Sequence, residues 1–164
     1  MKKFELTSEF VTFLGKTLFR IKALVSFGDV AEGELGGFIE RENNLDQSGD
    51  AWVYGDAWVY GDARVCGDAR VYGDAQVCGD AQVFGNAWVQ NCRDYSATSC
   101  FGSENRTTTF FRTKDGGISV RCGCFYGTLR EFREKVKERH GDSRLAKEYL
   151  MLADLMEFRL SKDE

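Results

Sequence analysis

From Gly49 to Gln90 the chain reads GDAWVY, GDAWVY, GDARVC, GDARVY, GDAQVC, GDAQVF, GNAWVQ, seven hexads without an insertion. Within each hexad Ala and Val alternate with larger side chains, which is the two-residue rhythm of a strand. Gly-Asp or Gly-Asn marks every corner, where unusual backbone angles are tolerated. A six-residue unit is too short for a helical repeat and fits one strand plus one tight corner. If three hexads close a triangular coil, residues eighteen apart stack, and Ala51 to Ala87 and Val53 to Val89 point inward. The pattern therefore predicts a β-solenoid with a narrow, monotonous core.

The flanks are less regular. Lys16–Val25, containing LFRIKAL, reads as a strand, followed by irregular early coils in which Ile39 and Leu45 take the inward register of the later alanines. Beyond Gln90 the repeat decays, with Tyr95 and Phe101 expected to continue the Val register. Thr107–Thr113 and Gly117–Cys124 read as two strands joined at Lys114-Asp115-Gly116-Gly117. Thr128-Leu-Arg-Glu131 is a capping box opening a helix to about His140, stopped by Gly141. A second helix from about Ser143 carries Leu145, Tyr149, Leu152 and Met156 on one stripe. The predicted organisation is an N-terminal strand and solenoid over residues 1–102, then a ββαα appendage over 103–164 suited to cap the open end of the coils.

The hexads resemble the hexapeptide-repeat proteins, whose units carry an aliphatic and a small residue at fixed spacing. That resemblance implies an all-β solenoid of the left-handed parallel β-helix type, and a homo-oligomer, usually a trimer. The stretch GELGGFIERENNLDQSGDAWVYGDA, Gly33 to Ala57, also resembles hexapeptide-repeat proteins of phages and prophages. The resemblance covers about two-thirds of the chain and specifies fold more than function.

Composition narrows the classes. Apolar content of 43% supports a core, and a net charge of −4 with scattered Lys and Arg argues against a duplex nucleic acid partner. No apolar run suits a membrane span or a leader, and six cysteines without a disulfide-scaffold density fit a reducing, cytoplasmic setting, the host cell's if the protein is phage-encoded.

Candidate chemistry lies outside the core. Outward positions of one solenoid side include Trp52, Arg70 and Trp88, with Tyr54 and Tyr72 beside them. Such aromatics and arginine serve either as a stacking platform for flat ligands or as a subunit interface. The corner aspartates, Asp50 to Asp80, either hold Ca²⁺ or simply suit the corner backbone. In Ser103–Arg121 the donors Ser103, Asn105, Arg106, Thr107, Thr108, Arg112 and Arg121 crowd together. Arg106, Thr108 and Arg112 share a strand face by the two-residue period, an arrangement fit for phosphate or carboxylate. Cys122 and Cys124 fall on one strand face, yet lack zinc spacing. Many hexapeptide-repeat proteins are acyltransferases relying on a histidine at the coils. The only histidine here, His140, is predicted at a helix end, where it complements the dipole. The expectation is a non-catalytic binder without cofactor or metal. Its ligand is small and anionic, a nucleotide-derived host defence signal held as by a sponge. An acyltransferase-like enzyme and a purely structural scaffold are the alternatives.

Overall fold

The computed structural model describes residues 1–162. Seven two-residue strands follow the hexads: β4 (Trp52–Val53), β5 (Trp58–Val59), β6 (Arg64–Val65), β7 (Arg70–Val71), β8 (Gln76–Val77), β9 (Gln82–Val83) and β10 (Trp88–Val89). They pair in parallel at the expected spacing, Trp52 with Arg70 and Arg70 with Trp88, Trp58 with Gln76, Arg64 with Gln82. Three ladders thus enclose a β-solenoid whose inward alanines and valines, Ala51 to Ala87 and Val53 to Val89, are all fully buried. The corner glycines adopt positive φ, and at Gly49 (φ +68) a Cβ would stand 2.6 Å from the Gly67 carbonyl oxygen of the next coil. The positive φ shared by all seven corners favours Gly in every unit, and such close approaches reinforce it at some of them.

The ladders are polar. Apart from the strand valines, whose N–H groups point back as the parallel register requires, the coils donate their N–H groups onward, as in Trp52 N–H to Ala69 O (3.1 Å) and Tyr54 N–H to Val71 O (2.8 Å). The first coil is therefore left with unused carbonyls and the last with unused N–H groups, which must find partners elsewhere.

At the N-terminal end, β1 (Phe4–Phe13), β2 (Lys16–Ala23) and β3 (Leu35–Ile39) form an antiparallel set that joins β5 and β8 in one five-stranded sheet. The expected strand is β2. Its partner β1 is largely exposed, so its alternation carried little apolar signal. Ile39 pairs with Val59 and Leu45 with Val65, so both occupy the Val register rather than the Ala register expected of them. The first coil is two residues longer than its successors, with a 3-10 turn at Glu42–Asn44. The Ala position of β5 has Gly37 as its neighbour, where a Cβ would collide with the Ala57 carbonyl, leaving no room for a branched side chain.

At the other end, β11 (Tyr95–Phe101), β12 (Arg106–Arg112), β13 (Ile118–Cys122) and β14 (Phe125–Thr128) make an antiparallel sheet, followed by α1 (Leu129–His140) and α2 (Arg144–Leu160). The anticipated hairpin is β12–β13; β11 and β14 extend it on both sides, so the appendage holds four strands rather than two. Strand alternation splits β12 between two cores. Phe111 enters the solenoid core, and Phe110 joins Leu129, Phe132, Leu152 and Met156 under the helices. Tyr95 packs on the solenoid and its hydroxyl donates to Gln76 O at 2.5 Å, but Phe101 is 38% exposed and pairs with Arg106. The Val register therefore ends at Tyr95, because β11 turns antiparallel to β12 instead of completing another coil. Thr128 and Ser143 cap the two helices through Glu131 N–H and Ala146 N–H. No helix among the described residues is long and apolar enough to cross a membrane.

Candidate functional site

The outward faces of the coils are already in use. Trp52, expected at the surface, is fully buried beneath Phe4 and Phe27, with ring centroids at 6.3 and 5.4 Å. Sequence periodicity placed it outward correctly; the N-terminal strands then cover it. Arg70 donates to the Tyr54 hydroxyl and to the Asp29 carboxylate, and its hydrogen bond to Asp29 holds that carboxyl below its ordinary range. Tyr54 and Tyr72 stack at 4.3 Å and 13°, and Tyr72 leans on Trp88 at 4.9 Å. Lys114 sits 5.6 Å from the half-buried Trp88 ring. These rings contact one another in sequence along the ladder, the first pair stacked and the second tilted at 45°, so the platform packs on itself. On the next side Phe13 covers Trp58 at 5.1 Å. On the third, Arg121 lies 4.9 Å from the Phe84 ring and donates to Gln82 Oε1 at 3.2 Å.

The donor-rich segment is likewise divided. Arg106, Thr108 and Arg112 share the helix side of β12, as the two-residue period requires, while Thr107 and Arg121 face the other way. Thr107 and Ser99 hydroxyls bond at 2.9 Å. Thr108 is buried and donates to Cys122 Sγ at 3.2 Å. Arg112 pairs with buried Asp94 at 3.0 Å and donates to the carbonyls of Leu160 (2.6 Å) and Ser161 (3.2 Å). It ties the end of α2 to the sheet rather than presenting a free fork. Asn105 takes a left-handed φ of +50 in the turn before β12.

Of the expected set, Ser103 and Arg106 line a groove of about 330 Å³ between the β11–β12 turn, the β13–β14 turn and the end of α1. Lys135, Arg139 and His140 converge there from α1, with Phe125 and Tyr149 on its apolar side. A contiguous pit of about 80 Å³ runs between Phe125, Phe132, Val136 and Tyr149. His140 stacks on Tyr149 at 5.6 Å and 24°. The rim is close-fitted: a Cβ on Gly123 would meet Arg106 Nη1, and one on Gly102 would meet the Tyr149 hydroxyl. Glu104 is the one carboxylate among the lining residues. It pairs with Arg106 and approaches Arg139 at 3.9 Å, so it lies where an external anion would bridge both guanidinium groups. Three cations, an imidazole and an apolar pit together suit an anionic group attached to a flat or apolar body.

A larger cavity of about 630 Å³ opens at the other end of α1, but its carboxylates are engaged within the chain and its lining brings fewer cations together. Glu131 accepts from Thr128 N–H at 2.8 Å, Glu157 from Arg133 at 2.7 Å, and Asp115 from the Thr113 hydroxyl. The groove is therefore the better candidate.

Lys135, Arg139, His140, Phe125 and Tyr149 were missed as site residues. The Lys135/Arg139 spacing of one helical turn was legible, but nothing in the chain says which strand turn that helix face meets. Cys122 ends β13 and Cys124 is exposed in the turn after Gly123 (φ +58), so the two thiols do not share a strand face. Among the described residues no group of three or more His, Cys, Asp or Glu is placed to hold a metal ion.

Residues 63–79, within the regular coils, match a family model described as the YdcK beta solenoid repeat. No curated protein matches the chain. The chain is thus similar to a β-solenoid repeat over those coils.

Proposed function

We propose that the protein is a non-catalytic binder of a small anionic, nucleotide-type ligand, and that the groove beside Arg106 is where it binds. The observation that supports this most is the convergence of Arg106, Lys135, Arg139 and His140 on one cavity with an apolar pit attached. On this reading the guanidinium groups of Arg106 and Arg139 take the phosphate, Lys135 adds charge, and Phe125 and Tyr149 support the base or other flat body. The coils contribute rigidity, since every inward side chain is buried and the outward aromatics are packed.

The setting follows from the sequence resemblance. The coils wind left-handed, as hexapeptide-repeat coils do, and a phage-type protein of this kind acts as a cytoplasmic sponge that sequesters a nucleotide-derived defence signal of its host. The purified protein, heated to release any ligand for mass spectrometry and titrated calorimetrically with cyclic and ADP-ribose-type nucleotides, tests the reading. Micromolar binding that falls at least tenfold in Arg106→Ala and Arg139→Ala supports it. Retention of no nucleotide at micromolar protein sinks it. Turnover of acyl-coenzyme A that disappears in His140→Ala replaces binding by catalysis.

A further inference from the structure

The C-terminal helix has a second, unpartnered face. Phe158 is 86% exposed, Met151 71% and Leu155 56%. At about 100° per residue these three lie within roughly 60° of one another on α2, one apolar stripe rather than scattered side chains. A stripe of three large apolar side chains facing water marks a surface made to be covered. A groove of about 600 Å³ runs beside it, between Leu155 and Phe158 on one wall and Arg93 and Ser96 on the other.

The charges flanking the stripe say what covers it. Glu148 and Arg159 lie on the same side of it, roughly 60° and 80° around the helix from Met151. Two antiparallel copies of α2 related by a two-fold axis keep that side in common. With Leu155 on the axis, Met151 of one copy meets Phe158 of the other, and Glu148 of one falls within a turn of Arg159 of the other. On the other flank Asp154 of each copy falls opposite its counterpart, and Arg133, which pairs with it at 2.7 Å, offsets the like charges; the apolar positions and the Glu148–Arg159 pair thus match in a single register. The pattern is self-complementary, which a surface shaped for an unrelated partner has no reason to be.

We infer that α2 is a homodimerisation helix, pairing antiparallel with α2 of a second copy around Leu155. Tyr149 points to the opposite side of α2, roughly 160° from Met151, so the dimer leaves the ligand groove open. The inference stands or falls independently of the function proposed above. It also places self-association on the appendage instead of the coils, whose aromatic faces are largely covered by the chain itself.

Light scattering on the full chain from 1 to 100 µM tests this. The expected mass is twice the 18.5 kDa of one chain. Leu155→Arg, at an exposed position, should give monomers with unchanged circular dichroism. Glu148→Arg should weaken the dimer at least tenfold, and adding Arg159→Glu should restore it. A wild-type monomer throughout that range overturns the inference, as does a trimer whose mass ignores Leu155→Arg.

Discussion

At the N-terminal end of the coils the unused groups are carbonyls, and the chain meets them with donors. Lys3, buried, sends its ammonium to the carbonyls of Ser48, Gly49 and Ala51 at 3.5, 3.2 and 2.9 Å. The Asn44 amide donates to Gly61 O and Ala63 O at 3.1 and 2.9 Å, and Arg20 to Gly36 O at 2.7 Å. At the C-terminal end the unused groups are N–H, and the chain meets them with acceptors. Thr109 Oγ1 receives Gln82 N–H at 2.9 Å, and the Asp94 carboxylate receives Gln90 and Asn91 N–H at 2.8 and 3.2 Å. The two ends of the solenoid thus differ in their net hydrogen-bonding character, donors prevailing at the first and acceptors at the second, although Glu40 also accepts Gly61 N–H at 2.7 Å at the first end and Lys114 N–H donates to Asn86 O at 3.1 Å at the second. The ends also differ in use. The first is a lid over Trp52, whereas the sheet at the second has another face, on which the helices and the groove are built.

Removing each capping charge measures that asymmetry. Asp94→Ala should have the largest effect, about 3–5 kcal/mol of unfolding free energy by urea titration. It strips two backbone N–H groups and leaves the half-buried Arg112 without its carboxylate. A loss below 1 kcal/mol would show that the C-terminal end closes by apolar packing of Phe111 alone. Lys3→Met should cost about 2 kcal/mol at neutral pH, since three carbonyls lose a charged donor but the desolvation of the ammonium is also removed. Burial lowers the Lys3 pKa to about 8 from 10.5, so the folded chain holds that proton more weakly than the unfolded chain. Wild-type stability therefore gains as pH rises from about 8 toward 10.5, and Lys3→Met lacks this gain. Urea midpoints at pH 7.5 and 9.5 should separate further at the higher pH; parallel shifts would mean Lys3 is not desolvated. The smallest effect is expected at the groove. Glu104→Gln removes the internal carboxylate that pairs with Arg106, and should tighten binding of a nucleotide two- to fivefold while leaving stability within about 0.5 kcal/mol. Weaker binding instead would make Glu104 a ligand contact.

How much of this was legible depends on how local the signal was. The hexads declare their own core, because each Ala and Val is repeated with its corner, and all of them are buried as expected. The capping box of α1, the Ser143 cap of α2 and the turns of the appendage are equally local, and both helices and the β12–β13 hairpin follow them. Trp52 shows where that logic stops. Its outward position was correct, yet Phe4 and Phe27, far away in sequence, decide that outward does not mean exposed. Arg112 is similar: its strand face was correct, but the Leu160 and Ser161 carbonyls and Asp94 engage it. The groove was half legible, with Ser103 and Arg106 foreseen and the α1 residues not.

By itself the sequence determined the period and the inward register of the hexads, since a six-residue repeat with Gly at its corner leaves the backbone few alternatives. It also determined the inward stripe of α2, with Tyr149, Leu152 and Met156 buried as its helical spacing predicts. Only the tertiary structure decided which outward side chains remain available and that four groups from a turn and a helix meet at one cavity. Those outcomes depend on contacts between segments far apart in the chain, where no periodicity acts and packing alone chooses the neighbour.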